Sequence, residues 1–98
     1  MKTITTTNPA NNQVLMEYNL HTQEEVDQIL KETEKAYLIN RKTSFETRSA
    51  LMNKAAELLE ERKDILAETM TSEMGKTYLS AQAEVEKCAW VCRYYADN

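Results

Sequence analysis

The residues of this chain that could most directly do chemistry are two cysteines, Cys88 and Cys92, and the single histidine, His21. A nucleophilic thiol needs a pKa lowered by a helix N-terminus, a histidine or a nearby cation. Both cysteines instead fall late in a predicted helix, and His21 falls in a predicted turn far away in the sequence. Free cysteine is commonly buried as a small apolar residue. We therefore predict that both thiols are core residues without a catalytic role.

The same three residues also argue against a metal site and against a disulfide. Two thiols and one distant histidine leave the four-ligand set of a structural zinc site incomplete. A spacing of four on a helix places the two Cα atoms about 6 Å apart, but the Cβ vectors run nearly parallel, which disfavours a disulfide. Free thiols are typical of a reducing compartment, so we expect a cytoplasmic protein.

Acidic and methionine side chains are the remaining candidates for a functional site. No pair of carboxylates lies in an apolar setting that would shift its pKa for acid–base work, so we predict a solvated face. Methionines at helical spacing indicate core packing, which we favour, a groove for a partner helix, or a surface that the missing part of a larger protein would cover. The acids are Glu57, Glu60, Glu61, Glu68, Glu84 and Glu86; the groove residues are Met52, Met70, Met74 and Tyr78.

Composition predicts a helical chain and excludes several classes of protein. One glycine and one proline among 98 residues leave few points at which helices are interrupted. The net charge of −4 disfavours nucleic-acid binding, including a helix-turn-helix DNA reader, because neutralising phosphates takes a basic patch. No apolar run approaches the length of a membrane span, and the N-terminus lacks the apolar region of a secretory signal.

The pattern of residues predicts a mostly α chain with a short N-terminal β-hairpin. The hairpin is expected in residues 1–20, because a β-branched run precedes the turn formers around Pro9. Thr22 with Glu25 forms a capping box before the first helix, Thr43 or Ser44 starts the second, and Gly75 ends the third. The predicted helices span residues 22–40, 44–61, 63–74 and 77–97, with a break near residues 62–64.

Each helix carries an apolar stripe that we expect to face a core. The stripes comprise Val26, Ile29, Leu30, Thr33 and Tyr37; Phe45, Leu51, Ala55, Leu58 and Leu59; Ile65, Leu66, Thr69, Met70 and Met74; and Ala81, Val85, Cys88, Ala89, Cys92, Tyr95 and Ala96.

Several segments resemble, in order, the N-terminal part of aldehyde dehydrogenases. The segments are NPANNQV at 8–14, EEVD at 24–27, the run from Phe45 to the methionine-glycine-lysine that ends at Lys76, and AEVEKCAWVCRYYADN at 83–98. The last is most similar to the succinate-semialdehyde dehydrogenase branch. Asn11 or Asn12 replaces the usual turn glycine, Asn40 a frequent tryptophan and Thr77 a frequent proline.

The resemblance implies that the chain is an N-terminal segment of the α/β NAD(P)-binding domain, with the catalytic domain absent. The cysteine, glutamate and asparagine that catalyse aldehyde oxidation in the family lie beyond residue 98, so no catalytic, cofactor-binding or metal residue is carried over. NAD or NADP is then a cofactor of the parent enzyme and is not expected to bind the segment tightly. The expected partners are the rest of the polypeptide and further copies of the chain, with neither nucleic acid nor membrane.

The residues alone leave a second interpretation open. A free-standing acidic helical module could bind a partner helix through its methionine, tyrosine and tryptophan side chains. The chain ends at Asn98, three residues after an aromatic pair that suits packing, and this favours a segment of a larger protein.

Overall fold

A computed structural model describes residues 2–98, beginning with an antiparallel hairpin. Strand β1 (Thr3–Thr7) pairs with β2 (Val14–Asn19), Thr3 lying opposite Asn19, and a bulge follows Thr6. The turn is closed by the amide of Asn8, which donates to the carbonyl of Gln13 at 2.9 Å. Asn12 has a φ of 60°, which asparagine tolerates where most residues do not. The sequence therefore meets the turn's requirement without glycine.

Four helices follow, as predicted: α1 (Gln23–Asn40), α2 (Phe45–Glu61), α3 (Lys63–Met74) and α4 (Tyr78–Asp97). Three begin one residue after their predicted start because the capping residue itself is extended. Thr22, Ser44 and Thr77 each accept a hydrogen bond from the backbone amide three residues later. At α1 the capping box is complete, since the Glu25 carboxylate also accepts from the amide of Thr22.

The hairpin meets the helices where α3 ends. Gly75 is left-handed, with a φ of 76°, and stops α3 as predicted. A Cβ atom at Gly75 would lie 3.0 Å from Cγ of Pro9, in the hairpin turn. Glycine is thus required there both by the backbone conformation and by the space available. The break between α2 and α3 falls at Arg62, whose φ of −100° and ψ of 13° leave the helical region.

The buried core is small and consists of small residues. Among residues 2–98 five side chains are buried, and all lie between α4 and the pair α2 and α3: Ala56, Ala67, Ala81, Val85 and Ala89. In α4 these residues recur every fourth position, on one face. Alanine at the contact lets the helix backbones approach closely, so α4 packs directly against both α2 and α3.

Helix α1 projects away from this layer, and none of its residues is buried. The radius of gyration is 17.5 Å, against about 13 Å for a compact domain of 100 residues. The Cα atoms span 47 × 40 × 16 Å, so the molecule is a thin slab with an outlying helix. No helix within residues 2–98 is long and apolar enough to cross a membrane.

Candidate docking surface

The most informative property of the structure is how much surface it leaves exposed. Its accessible area is 8078 Å². A compact protein of 11.3 kDa exposes about 5,700 Å², so the chain shows roughly 2,300 Å² more than its mass requires. Stable protein interfaces bury about 800 Å² on each partner, and obligate ones considerably more. The excess is therefore large enough to form an extensive interface.

Helix α4 is apolar on two opposite sides. One side holds the buried residues Ala81, Val85 and Ala89. Trp90 follows Ala81 by nine residues, which at about 100° per residue places it on the opposite side, near Leu79 and Tyr94. Trp90 is 58% exposed and Leu79 is 78% exposed. Apolar residues on two opposite sides are typical of a helix that lies between other elements, and here only one side is covered.

Helix α2 adds apolar surface at both of its ends. Phe45 is 85% exposed, although the sequence predicted that it faces a core. With Met52 and Tyr95 it lines a hollow of about 440 Å³ between α2 and the end of α4. A second apolar hollow, of about 370 Å³, lies near the α2–α3 break. Its lining residues are Ala55, Leu58, Leu59, Arg62 and Leu66.

We call the exposed apolar residues of the four helices the docking surface. Several were predicted to face a core, and that prediction was wrong within this chain because no described element lies over them. The corrected residues are Val26, Ile29, Leu30, Tyr37, Phe45, Leu51, Ile65, Met74 and Tyr95; Leu38, Ile39, Tyr78, Leu79, Trp90 and Tyr94 complete the surface.

The two cysteines occupy different environments, and the prediction that both are core residues was wrong. Cys88 is exposed and Cys92 is half-buried, and both thiols are free. The predicted stripe on α4 is wide, but α2 and α3 cover only its middle, and Cys88 lies at the edge. Within residues 2–98, no group of three or more His, Cys, Asp or Glu side chains is placed to hold a metal ion.

The methionines are likewise divided. Met52 and Met70 are half-buried at the edge of the core, whereas Met74 is 77% exposed and Tyr78 is 39% exposed. Both exposed residues flank the turn between α3 and α4. The core interpretation was wrong for these two, which belong to uncovered surface.

One edge of α4 is polar and already has partners within the chain. Arg93 pairs with Glu60 of α2, and its guanidinium holds the pKa of that carboxyl below its usual value. Lys63 of α3 lies 2.9 Å from Glu86, whose carboxylate raises the lysine pKa. These exposed pairs contribute little to stability individually. They show that Glu60 and Glu86 serve contacts between helices.

His21 takes no part in any catalytic arrangement among the described residues. Its Nδ1 atom lies 3.2 Å from a carboxylate oxygen of Glu25, and both side chains are exposed. The pKa of Glu25 is lowered, first by the hydrogen bond from the Thr22 amide and then by His21. The histidine therefore supports the N-terminal cap of α1.

Comparison with known sequences assigns the whole chain to one family. The aldehyde dehydrogenase family model matches residues 1–98. A probable NADP⁺ succinate-semialdehyde dehydrogenase of Synechocystis is 44% identical over 95 residues, and NADP⁺ succinate-semialdehyde dehydrogenase 1 of Mycobacterium tuberculosis is 41% identical. The matches cover 97% of this chain but 21% of each relative. The chain thus spans about a fifth of the length of the curated relatives it matches.

Solved structures show the same arrangement of hairpin and helices. An NADP-dependent glyceraldehyde-3-phosphate dehydrogenase of Bacillus halodurans superposes with a TM-score of 0.91 at 32% identity, over 98% of this chain and 20% of its own. A succinic semialdehyde dehydrogenase of Streptococcus pyogenes gives 0.87 at 35% identity, over 95% of this chain and 21% of its own. The fold is that of the N-terminal part of these enzymes, and the chain belongs to the aldehyde dehydrogenase family.

Proposed function

We propose that this chain is the N-terminal structural segment of an NAD(P)-dependent aldehyde dehydrogenase of the succinate-semialdehyde type, which oxidises an aldehyde to a carboxylic acid. The observation that supports this role best is the apolar outer side of α4, which is exposed although the opposite side is packed on α2 and α3. The rest of an aldehyde dehydrogenase chain would cover it. The segment then acts by supporting the cofactor domain.

The residues of this segment do not fit a nicotinamide dinucleotide. A dinucleotide cradle needs a glycine-rich turn between a strand and a helix N-terminus. The single glycine, Gly75, instead ends a helix, and Pro9 occupies the space next to it. The N-termini of α1, α2 and α4 are capped by their own side chains. We therefore propose that the segment alone is inactive and binds NAD⁺ and NADP⁺ weakly.

Reconstitution tests the proposal. The chain is mixed with the Synechocystis relative from which the matched N-terminal segment has been removed, and NADP⁺ reduction is followed at 340 nm with succinate semialdehyde. The relative's own segment is the positive control. We expect activity to return with either segment, because each covers the same exposed part of the truncated enzyme.

Two substitutions sharpen this experiment. Trp90→Glu puts a charge on the outer side of α4 and should abolish reconstitution, since burying an unpaired charge is strongly unfavourable. Glu57→Gln, at an exposed side chain of α2, is the control and should leave reconstitution unchanged. Equal activity of the two variants would contradict a docking role for α4. Aldehyde-dependent reduction of NADP⁺ by the pure chain would contradict the structural role altogether.

We also propose that the chain associates with itself when the rest of the enzyme is absent. An exposed area about 2,300 Å² above that of a compact protein of this mass gives apolar surfaces ample opportunity for contact. Sedimentation velocity over a hundredfold range of concentration should show a rising mean mass, which Trp90→Glu reduces. A compact monomer that melts cooperatively at all concentrations would contradict this.

A further inference from the structure

The corner between α1 and α2 is held together by one side chain from outside it. The corner comprises residues 41–44, and the side chain is that of Arg48, one turn into α2. The last turn of α1 contains no basic residue to balance its terminal carbonyl groups. Such groups need donors from elsewhere, and a cation near them is favourable. Arg48 supplies both the hydrogen-bond donors and the positive charge.

The hydrogen bonds of Arg48 form a closed ring around the corner. Its Nη2 atom donates to the carbonyls of Asn40 and Arg41, each at 3.0 Å. Its Nε atom donates to Oγ1 of Thr43 at 3.0 Å, and that hydroxyl donates in turn to the carbonyl of Asn40 at 2.7 Å. The guanidinium carbon lies 5.8 Å from the ring centroid of Phe45, which supports it from one side. This ring of hydrogen bonds therefore joins the end of α1 to α2 at several points.

No tertiary packing duplicates this connection. Helix α1 has no buried residue, and its contacts with the other described elements are negligible beside those of α2 and α3 with α4. A helix of 18 residues is about 27 Å long, so a small change of angle at the corner moves its far end by many ångströms. Its direction must consequently be set at the corner.

We propose that Arg48 is the positioning residue that fixes the direction in which α1 leaves the helical layer. The planar guanidinium reaches both carbonyls and the hydroxyl at once, a geometry that the single ammonium of lysine cannot reproduce. The role of Arg48 in setting this direction is argued from the hydrogen bonds of its side chain and does not depend on the proposed function. That this direction presents the apolar residues of α1 for docking rests additionally on the proposed function.

Distance measurements between α1 and α4 test the proposal. Spin labels are placed at the exposed native Cys88 and at Glu34→Cys on α1, in a Cys92→Ala background and diluted with unlabelled chain to suppress contacts between copies. Arg48 intact should give one narrow distance distribution. Arg48→Ala should broaden it strongly, and Arg48→Lys should restore it only in part. Arg62→Ala, at the other end of α2, is the control and should leave it narrow.

Amide exchange gives a second, independent readout. The amides of Arg41, Lys42 and Thr43 donate to carbonyl groups in the last turn of α1, those of Tyr37, Ile39 and Asn40. Loss of a charge-assisted hydrogen bond should raise their opening equilibrium about tenfold or more in Arg48→Ala, while amides in the middle of α4 keep their protection. If Arg48→Ala disrupts the packing of α2 on α4, Thr43→Val is measured in its place. This variant removes only the Thr43 hydroxyl from the hydrogen-bond ring.

The outcomes are decisive in both directions. Broad distances and a roughly tenfold faster corner exchange, with α4 unchanged, support the assignment. An unchanged narrow distribution in both Arg48→Ala and Thr43→Val would overturn it, as would corner amides already unprotected with Arg48 intact. None of these measurements involves the rest of an enzyme, so failure here is distinguishable from failure of the reconstitution.

Discussion

Replacing Gly75 with alanine should reveal two separable costs at the contact between hairpin and helices. The first is conformational, because an L-residue at a φ of 76° costs about 1–2 kcal/mol relative to the right-handed region. The second is steric, because the new Cβ would lie 3.0 Å from Cγ of Pro9. Overpacking of this kind costs about 1 kcal/mol or more. We expect Gly75→Ala to lower the free energy of unfolding by about 2–3 kcal/mol.

A double-mutant cycle separates the two costs. Pro9→Ala removes Cγ and leaves the proline Cβ position, 3.8 Å away and in ordinary contact. In that background Gly75→Ala should cost only the conformational 1–2 kcal/mol, a coupling of about 1 kcal/mol between the sites. Gly75→Asn is the control for conformation, since asparagine tolerates positive φ but carries the same Cβ.

The free energy of unfolding of each variant is measured by urea unfolding, followed by circular dichroism at 222 nm. The protein concentration is kept below that at which the chain self-associates. Exchange of the β1 and β2 amides shows whether the hairpin detaches first. An equal cost of Gly75→Ala in the two backgrounds would refute the steric argument, because the contact with Pro9 would then contribute nothing. A cost near zero in both would refute the conformational argument as well.

Three further predictions concern the helices. Ser49→Ala should lower the free energy of unfolding in urea by about 1 kcal/mol, because the hydroxyl donates to the carbonyl of Ala96 at 2.7 Å and joins α2 to α4. Ser72→Ala is the control and should lower it less, because the hydroxyl of Ser72 bonds within its own helix to the carbonyl of Thr69. Ala89→Leu should lower the unfolding free energy by about 1–3 kcal/mol through overpacking at the α4 contact, whereas Ala83→Leu on the exposed side should change it little. Because the pKa of Glu25 is lowered from its usual 4.5, the stabilisation of α1 by this carboxylate is present above that pH and lost as pH falls through the lower folded-state value. At pH 7 the helicity of the unmodified chain should therefore exceed that of Glu25→Gln, and the difference should shrink as pH falls below 4.5; a constant difference would contradict the role of the cap.

Local features were predictable from the sequence because their causes are local. The capping box at Thr22, the left-handed Gly75 and the break at Arg62 each depend on a few adjacent residues, and the structure confirms all three. The choice between Thr43 and Ser44 as N-cap stayed open because both side chains could accept the bond. Ser44 does so, which frees Thr43 to join Arg48.

Burial was predicted less well because it depends on what lies opposite each stripe. Periodicity marks Phe45, Ile65 and Cys88 as apolar, but it carries no information on whether a partner element is present. The ring around Arg48 was also missed. An arginine five residues after a threonine has no recognised sequence signal, and its partners become visible only when the chain turns a corner.

The thinness of the slab has a calorimetric consequence. The Cα atoms span only 16 Å in the thinnest direction, and the buried side chains among residues 2–98 are four alanines and one valine. The heat-capacity increment of unfolding scales with the apolar area newly hydrated, and reaches about 1.2–1.5 kcal/mol/K for a compact 100-residue domain. This chain should show a much smaller increment, so its stability curve against temperature is nearly flat and cold inactivation recedes to very low temperature. The resistance to heat that an assembled enzyme displays would then reside in the contacts that this layer makes, and very little in the layer itself.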